Sequence, residues 1–387
     1  MLPMKGEASM LYRKFGQLDF QVSALGFGCM RLPILNEDQS NINEAEAIRM
    51  IRYAIDQGVN YIDTAYFYHN GQSEIVVGTA LKEGYREKVK LATKLPVGRV
   101  QTYADFDLYL NEQLQKLDTD YIDFYLMHGL NRRTWDNIRR LGFERFLEQA
   151  LADGRIRYAG FSFHDDYPIF PEIIDAYPWT FCQIQYNYMD THIQAGTAGL
   201  NYAAAKGLAV VIMEPIKGGK LAKNPPPAIL KLWDKSPIKR SPAAWALRWV
   251  WNHPEVSLVL SGMSTMDQVE ENLRTVETAR TNSLDEADLS LIKQVKAIYN
   301  SLTKIDCTAC GYCQPCPSGV EIPRNFSLYN EAHTYDDFST SRFVYKQFFQ
   351  ETSRASACTE CGKCEEVCPQ HLSIREHLKE VNTVFGD

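Results

Sequence analysis

Between residues 24 and 260 the chain repeats one pattern, a short apolar run followed by a longer segment with helical periodicity. The strand-like runs fall near 24–29, 59–62, 89–94, 122–127, 156–161, 181–185, 208–213 and 257–260. Between them lie periodic segments such as Asn43 to Gln57, Tyr103 to Lys116 and Ser241 to Trp251. Eight alternations over about 250 residues predict an α/β fold, a closed (β/α)8 TIM barrel. A doubly wound sheet is the competitor, but no Gly-x-Gly-x-x-Gly follows the first strand. Gly26-Phe-Gly28 is too short to count and suits close backbone approach at a barrel mouth. The stretch from Arg13 to Ser23 reads as a hairpin capping the barrel floor.

The chain is 387 residues long, above the usual size of one domain. Its cysteines mark the division, because eight of the ten lie beyond residue 306. Residues 10–300 are therefore expected to form the barrel and 301–387 a second domain. A net charge of −7 without a basic block gives no reason to expect nucleic acid. No apolar run approaches the roughly 20 residues that span a bilayer. The N-terminal residues lack the apolar core of a signal peptide, so a cytoplasmic location is expected.

In that setting clustered cysteines point to metal or redox chemistry before disulfides. They form two runs, Cys307-x2-Cys310-x2-Cys313-x2-Cys316-Pro317 and Cys358-x2-Cys361-x2-Cys364-x3-Cys368-Pro369. The second resembles the bacterial-type ferredoxin run, in which the fourth cysteine ligates the other cluster. That resemblance implies one [4Fe–4S] cluster on Cys307, Cys310, Cys313 and Cys368, and another on Cys358, Cys361, Cys364 and Cys316. The first run has two residues before its last cysteine instead of three. Helix-like sequence between the runs, Phe338 to Gln350, predicts a mainly helical ferredoxin-like domain. A pair of four-thiolate zinc sites is the alternative, which this spacing serves less well than cubane clusters. Cys29 and Cys182 lie in apolar runs and read as small core residues.

Several strand-like runs finish in polar residues. Gly58-Val-Asn-Tyr-Ile62 leads into Asp63-Thr-Ala-Tyr-Phe-Tyr68, Val89 to Lys94 ends in a lysine, and Ile122 to His128 ends in a histidine. In a parallel barrel the C-terminal strand ends surround one mouth, so these four side chains can share a site. Each has an ordinary explanation when taken singly, such as a helix cap for Asp63. The motifs Asp63-Thr-Ala-x-x-Tyr68, Ala92-Thr-Lys94 and Leu126-Met-His128 resemble the aldo/keto reductase family, whose tetrad is Asp, Tyr, Lys and His in this order. The resemblance runs from about Tyr12 to about Asn272. It implies Tyr68 as acid/base, Lys94 as its activator, Asp63 holding Lys94 charged, and His128 positioning a carbonyl. A phenol titrates near 10, and a neighbouring ammonium is expected to lower that value toward the working range.

The same resemblance marks cofactor positions. In the family a Ser-Asn pair and a Gln hold the nicotinamide carboxamide while an aromatic ring stacks on the nicotinamide. Ser162 and Gln183 match, Phe163 stands in place of the Asn, and Met213 stands at the ring position. Ser261-Gly-Met-Ser264 and the following helix start resemble the strand-eight phosphate loop. Many members carry Lys and Arg where Gly262 and Gln268 stand, so NADP(H) is the family default and NAD(H) remains open. Glu271 and Asn272 match the adenine-contacting pair. After the seventh strand a long loop, Lys217-Gly-Gly-Lys220 through Pro225-Pro-Pro227, borders the rim.

The expected protein is an NAD(P)H-dependent oxidoreductase acting on a small carbonyl substrate. Its two clusters would serve electron transfer with an external carrier, a ferredoxin or a flavoprotein. Hydride transfer moves two electrons and a cluster typically passes one, and no flavin motif bridges them. Two alternatives stand beside this reading. The clusters are structural staples on a conventional carbonyl reductase, or the barrel is a non-catalytic nicotinamide-binding redox sensor, against which the intact tetrad argues.

Overall fold

Strands made of Val, Ile, Leu and Phe without polar alternation bury both faces, which requires helices outside and packed side chains inside. The computed structural model, which describes residues 10–307, 311–368 and 370–386, has this arrangement. It divides into two compact units: the first runs to Gly218 and resumes over Ala243–Asp285, and the second comprises Gly219–Pro242 and the chain from Glu286. By packing, the chain passes from the first unit to the second at 285/286, and the loop after the seventh barrel strand groups with the second unit.

In the first unit β1 (Tyr12–Lys14) and β2 (Gln21–Ser23) form an antiparallel hairpin. Eight parallel strands then close a barrel: β3 (Leu25–Gly28), β4 (Tyr61–Asp63), β5 (Lys90–Leu95), β6 (Ile122–Leu130), β7 (Ile156–Phe163), β8 (Phe181–Gln185), β9 (Ala209–Met213) and β10 (Val256–Gly262). Strand β10 pairs back onto β3. Each predicted run overlaps one of these strands.

The lower interior is filled by Tyr61, Phe124, Phe181, Val211 and Leu258, joined by Phe15 and Val22 of the hairpin. The Phe15 ring lies 4.7 Å from Phe124 and 5.7 Å from Phe181, so the hairpin plugs the floor as expected. The outer helices follow the amphipathic rule. In Glu44–Asp56 the buried positions are Ala47, Met50, Ile51, Ala54 and Ile55, and the Asn43 side chain caps the N-terminus by accepting from the Glu46 N–H.

The second unit is mainly helical, with Pro227–Trp233, Glu286–Ser301, Ile322–Tyr335, Phe338–Phe348 and Ile374–Phe385. Its small core includes Val320, Phe326, Ala332, Leu378, Val381 and Phe385. Among the described residues no helix is long and apolar enough to cross a membrane.

Candidate active site and cysteine cavities

The parallel register of β4, β5 and β6 sets Ala92 opposite Asp63 and Lys94 opposite Leu126. Lys94 is fully buried, and its Nζ donates to Asp63 Oδ1 at 2.7 Å, to the Thr64 carbonyl at 2.8 Å and to Tyr68 Oη at 3.3 Å. Those three contacts use all the donors of an ammonium. The loop that brings Tyr68 back over β5 turns at His69 and Asn70, both left-handed, with φ of 52° and 54°. His69 Nε2 accepts from the Leu32 N–H at 3.0 Å, and its Nδ1 lies 2.9 Å from the Gln39 carbonyl. These partners require the neutral Nδ1–H tautomer. The Tyr68 loop is thereby tied to the segment after β3, and Ser73 Oγ reinforces the tie by donating to the Cys29 carbonyl at 3.0 Å.

His128 sits where the β6–β7 register slips between Met127 and Leu130. The slip needs Gly129, whose φ is +66° and whose N–H turns to donate to Ser162 Oγ at 2.7 Å. The imidazole then faces the Tyr68 ring edge-on, with centroids 6.1 Å apart. The structure thus brings Asp63, Tyr68, Lys94 and His128 to one end of the barrel.

Burial works against the Lys94 ammonium, but the Asp63 carboxylate, with its hydrogen bond and that of Tyr68, outweighs it and holds the amine above the ordinary lysine range. Burial, with Lys94 and His164 nearby, pushes His128 well below the usual histidine range, so its ring is neutral at pH 7. Tyr68 departs from expectation. Burial raises its phenol above the ordinary value of 10, and the opposing pull of Lys94 is the smaller effect. Asp63, beside the same ammonium, offsets that pull.

A buried network behind Lys94 was not foreseen. Glu74 Oε1 accepts from Thr93 Oγ1 at 2.7 Å and from Gln113 Nε2 at 2.6 Å, and Gln113 Nε2 also lies 3.0 Å from the Lys94 carbonyl. The Tyr125 hydroxyl closes it, donating to Gln113 Oε1 at 2.8 Å. The available signal was Glu74, a charge at the start of the otherwise apolar stretch Ile75 to Ala80.

Ser162 and Gln183 are register partners on β7 and β8, both buried. Gln183 Nε2 reaches Met213 Sδ at 3.5 Å, while its buried Oε1 has no partner among the described residues. That orphaned acceptor, beside a serine hydroxyl, suits a carboxamide. At the end of β10, Ser264 N–H donates to Gln268 Oε1 at 2.8 Å and Ser264 Oγ donates to the Arg31 carbonyl at 2.8 Å. Asn272 is turned inward, with Nδ2 donating to Ser261 Oγ at 3.0 Å, and Glu271 precedes it on the helix Met266–Val276.

In the second unit a cavity of about 200 Å³ is lined by Cys313, Cys316, Cys358, Cys361 and Cys364. A smaller one is lined by Cys307, Cys313 and Cys368. Cys310 and Pro369 lie outside the described residues. Among the described residues no three His, Cys, Asp or Glu side chains converge on a single ion position. Cys29 and Cys182 are buried free thiols whose ionisation burial pushes up, in keeping with core roles.

Residues 24–297 match the model of the aldo/keto reductase family, and residues 306–372 match a 4Fe-4S dicluster domain. An L-galactose dehydrogenase of Arabidopsis thaliana is 27% identical over 312 residues, which cover 75% of this chain and 96% of that protein. The uncharacterized oxidoreductase YrpG of Bacillus subtilis is 27% identical over 327 residues, covering 74% and 96%. Among solved structures, the holo form of aldo-keto reductase AKR11C1 from Bacillus halodurans is similar with a TM-score of 0.62 at 30% identity, over 74% of this chain and 96% of that one.

Proposed function

The chain belongs to the aldo/keto reductase family and carries a 4Fe-4S dicluster domain at its C-terminus, so it is an oxidoreductase, and we propose that its barrel reduces a small carbonyl compound at Tyr68. The reading is carried by the 3.3 Å contact between a buried Lys94 Nζ and Tyr68 Oη, with Asp63 at 2.7 Å behind it. A nicotinamide dinucleotide, NADP(H) by family default or NAD(H), supplies the hydride when bound. Ser162 and the open Gln183 Oε1 would hold its carboxamide, with Met213 nearby, and Gly262, Ser264, Gln268, Glu271 and Asn272 would serve its adenosine end.

The residues of the chain do the acid/base work. Tyr68 Oη gives its proton to the carbonyl oxygen as hydride reaches the carbon. Lys94 remains cationic and stabilises the phenolate that results, while Asp63 Oδ1 and the Thr64 carbonyl fix its direction. His128, kept neutral, donates one N–H to the carbonyl oxygen and orients it. A phenol raised by burial is protonated at neutral pH, which suits a proton donor.

In the second unit the proposed ligand sets are Cys316, Cys358, Cys361 and Cys364 for one [4Fe–4S] cluster and Cys307, Cys310, Cys313 and Cys368 for the other. In support, the larger cavity is lined by Cys316, Cys358, Cys361 and Cys364 and the smaller by Cys307 and Cys368, while Cys313 borders both. Such clusters pass single electrons when bound, and a ferredoxin or flavoprotein is the proposed carrier. The staple reading has its own support, because six of these cysteines pack against the unit's small core.

The deciding measurement is oxidation of NADPH and NADH by anaerobically prepared protein over a panel of aldehydes, with Tyr68→Phe alongside. Turnover on at least one aldehyde that collapses in the variant is expected. No turnover on the panel, or an undiminished variant, defeats the proposal. Cys361→Ser separates the cluster readings: lost carrier-linked activity in a folded protein indicates relay, and an unfolded second unit with persistent aldehyde turnover indicates a staple.

A further inference from the structure

Arg31 ends the short turn Cys29–Arg31 after β3 and lies across the end of β10. A Cβ added to Gly262 would stand 3.3 Å from Arg31 Cβ and Cγ and 3.4 Å from Cδ. The arginine's methylenes therefore fill the room that a side chain at 262 would need. Gly262 ends a strand and its φ is not left-handed, so backbone conformation does not demand a glycine there. The missing side chain is explained by Arg31.

The other end of the side chain reaches the loop after β9. A Cβ on Gly218 would meet Arg31 Nη2 at 3.1 Å and Glu214 Oε2 at 3.3 Å. Ser264 Oγ, donating to the Arg31 carbonyl, fixes the turn to the loop after β10. The stem thus lies over the end of the eighth barrel strand and the guanidinium beside the loop after the seventh, the region where parallel barrels frequently bind phosphate. Arg31 is exposed, and among the described residues its guanidinium has no hydrogen-bond or ion-pair partner. The neighbouring Lys217 is held by Asp190 at 2.9 Å. Positions 262 and 268 carry no charge, being glycine and glutamine.

We propose that Arg31 is the cation that binds a phosphate of the dinucleotide, reaching in from the first barrel strand across a glycine that makes room for it. The inference rests on the reading of the barrel as a nicotinamide dinucleotide enzyme. A planar guanidinium grips phosphate oxygens in pairs, and this one is held at its stem and unpaired at its head. The phosphate is the 2′-phosphate of NADPH or the diphosphate common to NADPH and NADH.

The test is titration of the full-length protein with NADPH and with NADH, followed by quenching of tryptophan fluorescence, at low and high salt. Variants are Arg31→Ala, Arg31→Lys and the double variant Arg31→Ala with Gly262→Lys. A charge-assisted contact predicts a roughly ten- to hundred-fold loss of affinity in Arg31→Ala, a smaller loss in Arg31→Lys, and a gap that narrows as salt rises. The double variant should regain part of the loss, since deleting the arginine stem frees the space above residue 262. Loss for NADPH alone assigns the 2′-phosphate, and equal loss for both dinucleotides assigns the diphosphate. Unchanged affinity in Arg31→Ala overturns the proposal. A loss insensitive to salt and unrepaired by Gly262→Lys assigns Arg31 to packing and overturns it too. Wild-type protein that binds neither dinucleotide defeats the parent reading, and this one with it, before any variant is compared.

Discussion

Replacing Lys94 with methionine keeps most of the stem and deletes the charge, which isolates what the buried pair does for the barrel. Asp63 is 2% exposed, and its Oδ2 already lacks a partner among the described residues. Without the ammonium its carboxylate is buried alone, and it either stays charged at high cost or takes up a proton. Protonation sets the ceiling. Neutralising at pH 7 a carboxyl whose ordinary value is 3.8 costs about 4 kcal/mol, at about 1.36 kcal/mol per unit. That agrees with the roughly 3–5 kcal/mol lost when one member of a buried ion pair is removed. In the variant the folded state binds a proton that the unfolded state releases, so its stability falls as pH rises. The deficit should therefore shrink on acidification, to about 2 kcal/mol at pH 5. Urea unfolding followed by tryptophan fluorescence reads this well, because of the tryptophans only Trp233 lies in the second unit. Adding Asp63→Asn should recover most of the loss. A deficit under about 1 kcal/mol, or one that does not change between pH 5 and 7, refutes the reasoning.

Tyr68→Phe should cut aldehyde turnover by roughly 10²- to 10⁴-fold while the dinucleotide still quenches tryptophan fluorescence. Burial holds His69 below its ordinary value of 6.5, so the stability it confers is complete above that pH and lost as pH falls below it. His69→Gln should flatten the acid limb of a stability–pH profile, and an unchanged limb would place the sensitivity elsewhere. Cys361→Ser should lower the iron content of anaerobically prepared protein from about eight to about four per chain. Iron that stays at the wild-type level would remove Cys361 from the ligand set.

The barrel was legible because its strands are read locally. A run such as Ala209-Val-Val-Ile212 suits a strand covered on both faces, and eight apolar runs alternating with helical segments favour a closed parallel barrel. Asp63, Lys94 and His128 were legible for the same reason, since a polar residue closing an apolar run stands out. What local reading missed depends on residues distant in sequence. Gln113 joins Glu74 and the Lys94 carbonyl across 39 and 19 positions, and nothing near residue 113 announces it. Gly129 looks like an ordinary strand-end glycine until its positive φ and its bond to Ser162 show it making the bulge at His128. Gly262 reads as a missing cation until Arg31 is found lying over it. The loop from Lys217 to Pro227 reads as a rim loop because it follows the seventh strand, yet from Gly219 onward it groups with the second unit, whose helix Glu286–Ser301 packs on Pro227–Trp233.

The direction of the Tyr68 shift changes how the tetrad is understood. A phenol beside a lone ammonium would be pulled down toward the working range, as the order of residues suggests. Here the ammonium also lies 2.7 Å from a carboxylate, closer than the 3.3 Å that separates it from the phenol. The phenol therefore faces a nearly neutral pair, and burial governs its ionisation. At neutral pH Tyr68 carries its proton and His128 is uncharged, so the proposed reduction would have two neutral donors for a carbonyl oxygen. In the proposed mechanism the charge that Lys94 and Asp63 hold in place would matter most as the proton leaves, when the new phenolate needs a cation at contact distance. Alcohol oxidation would need that phenolate beforehand, and so gains only as pH climbs past the raised value. For the proposed reaction these electrostatics would favour reduction near neutrality, through the pairing of Asp63 with Lys94 as much as through Lys94 itself.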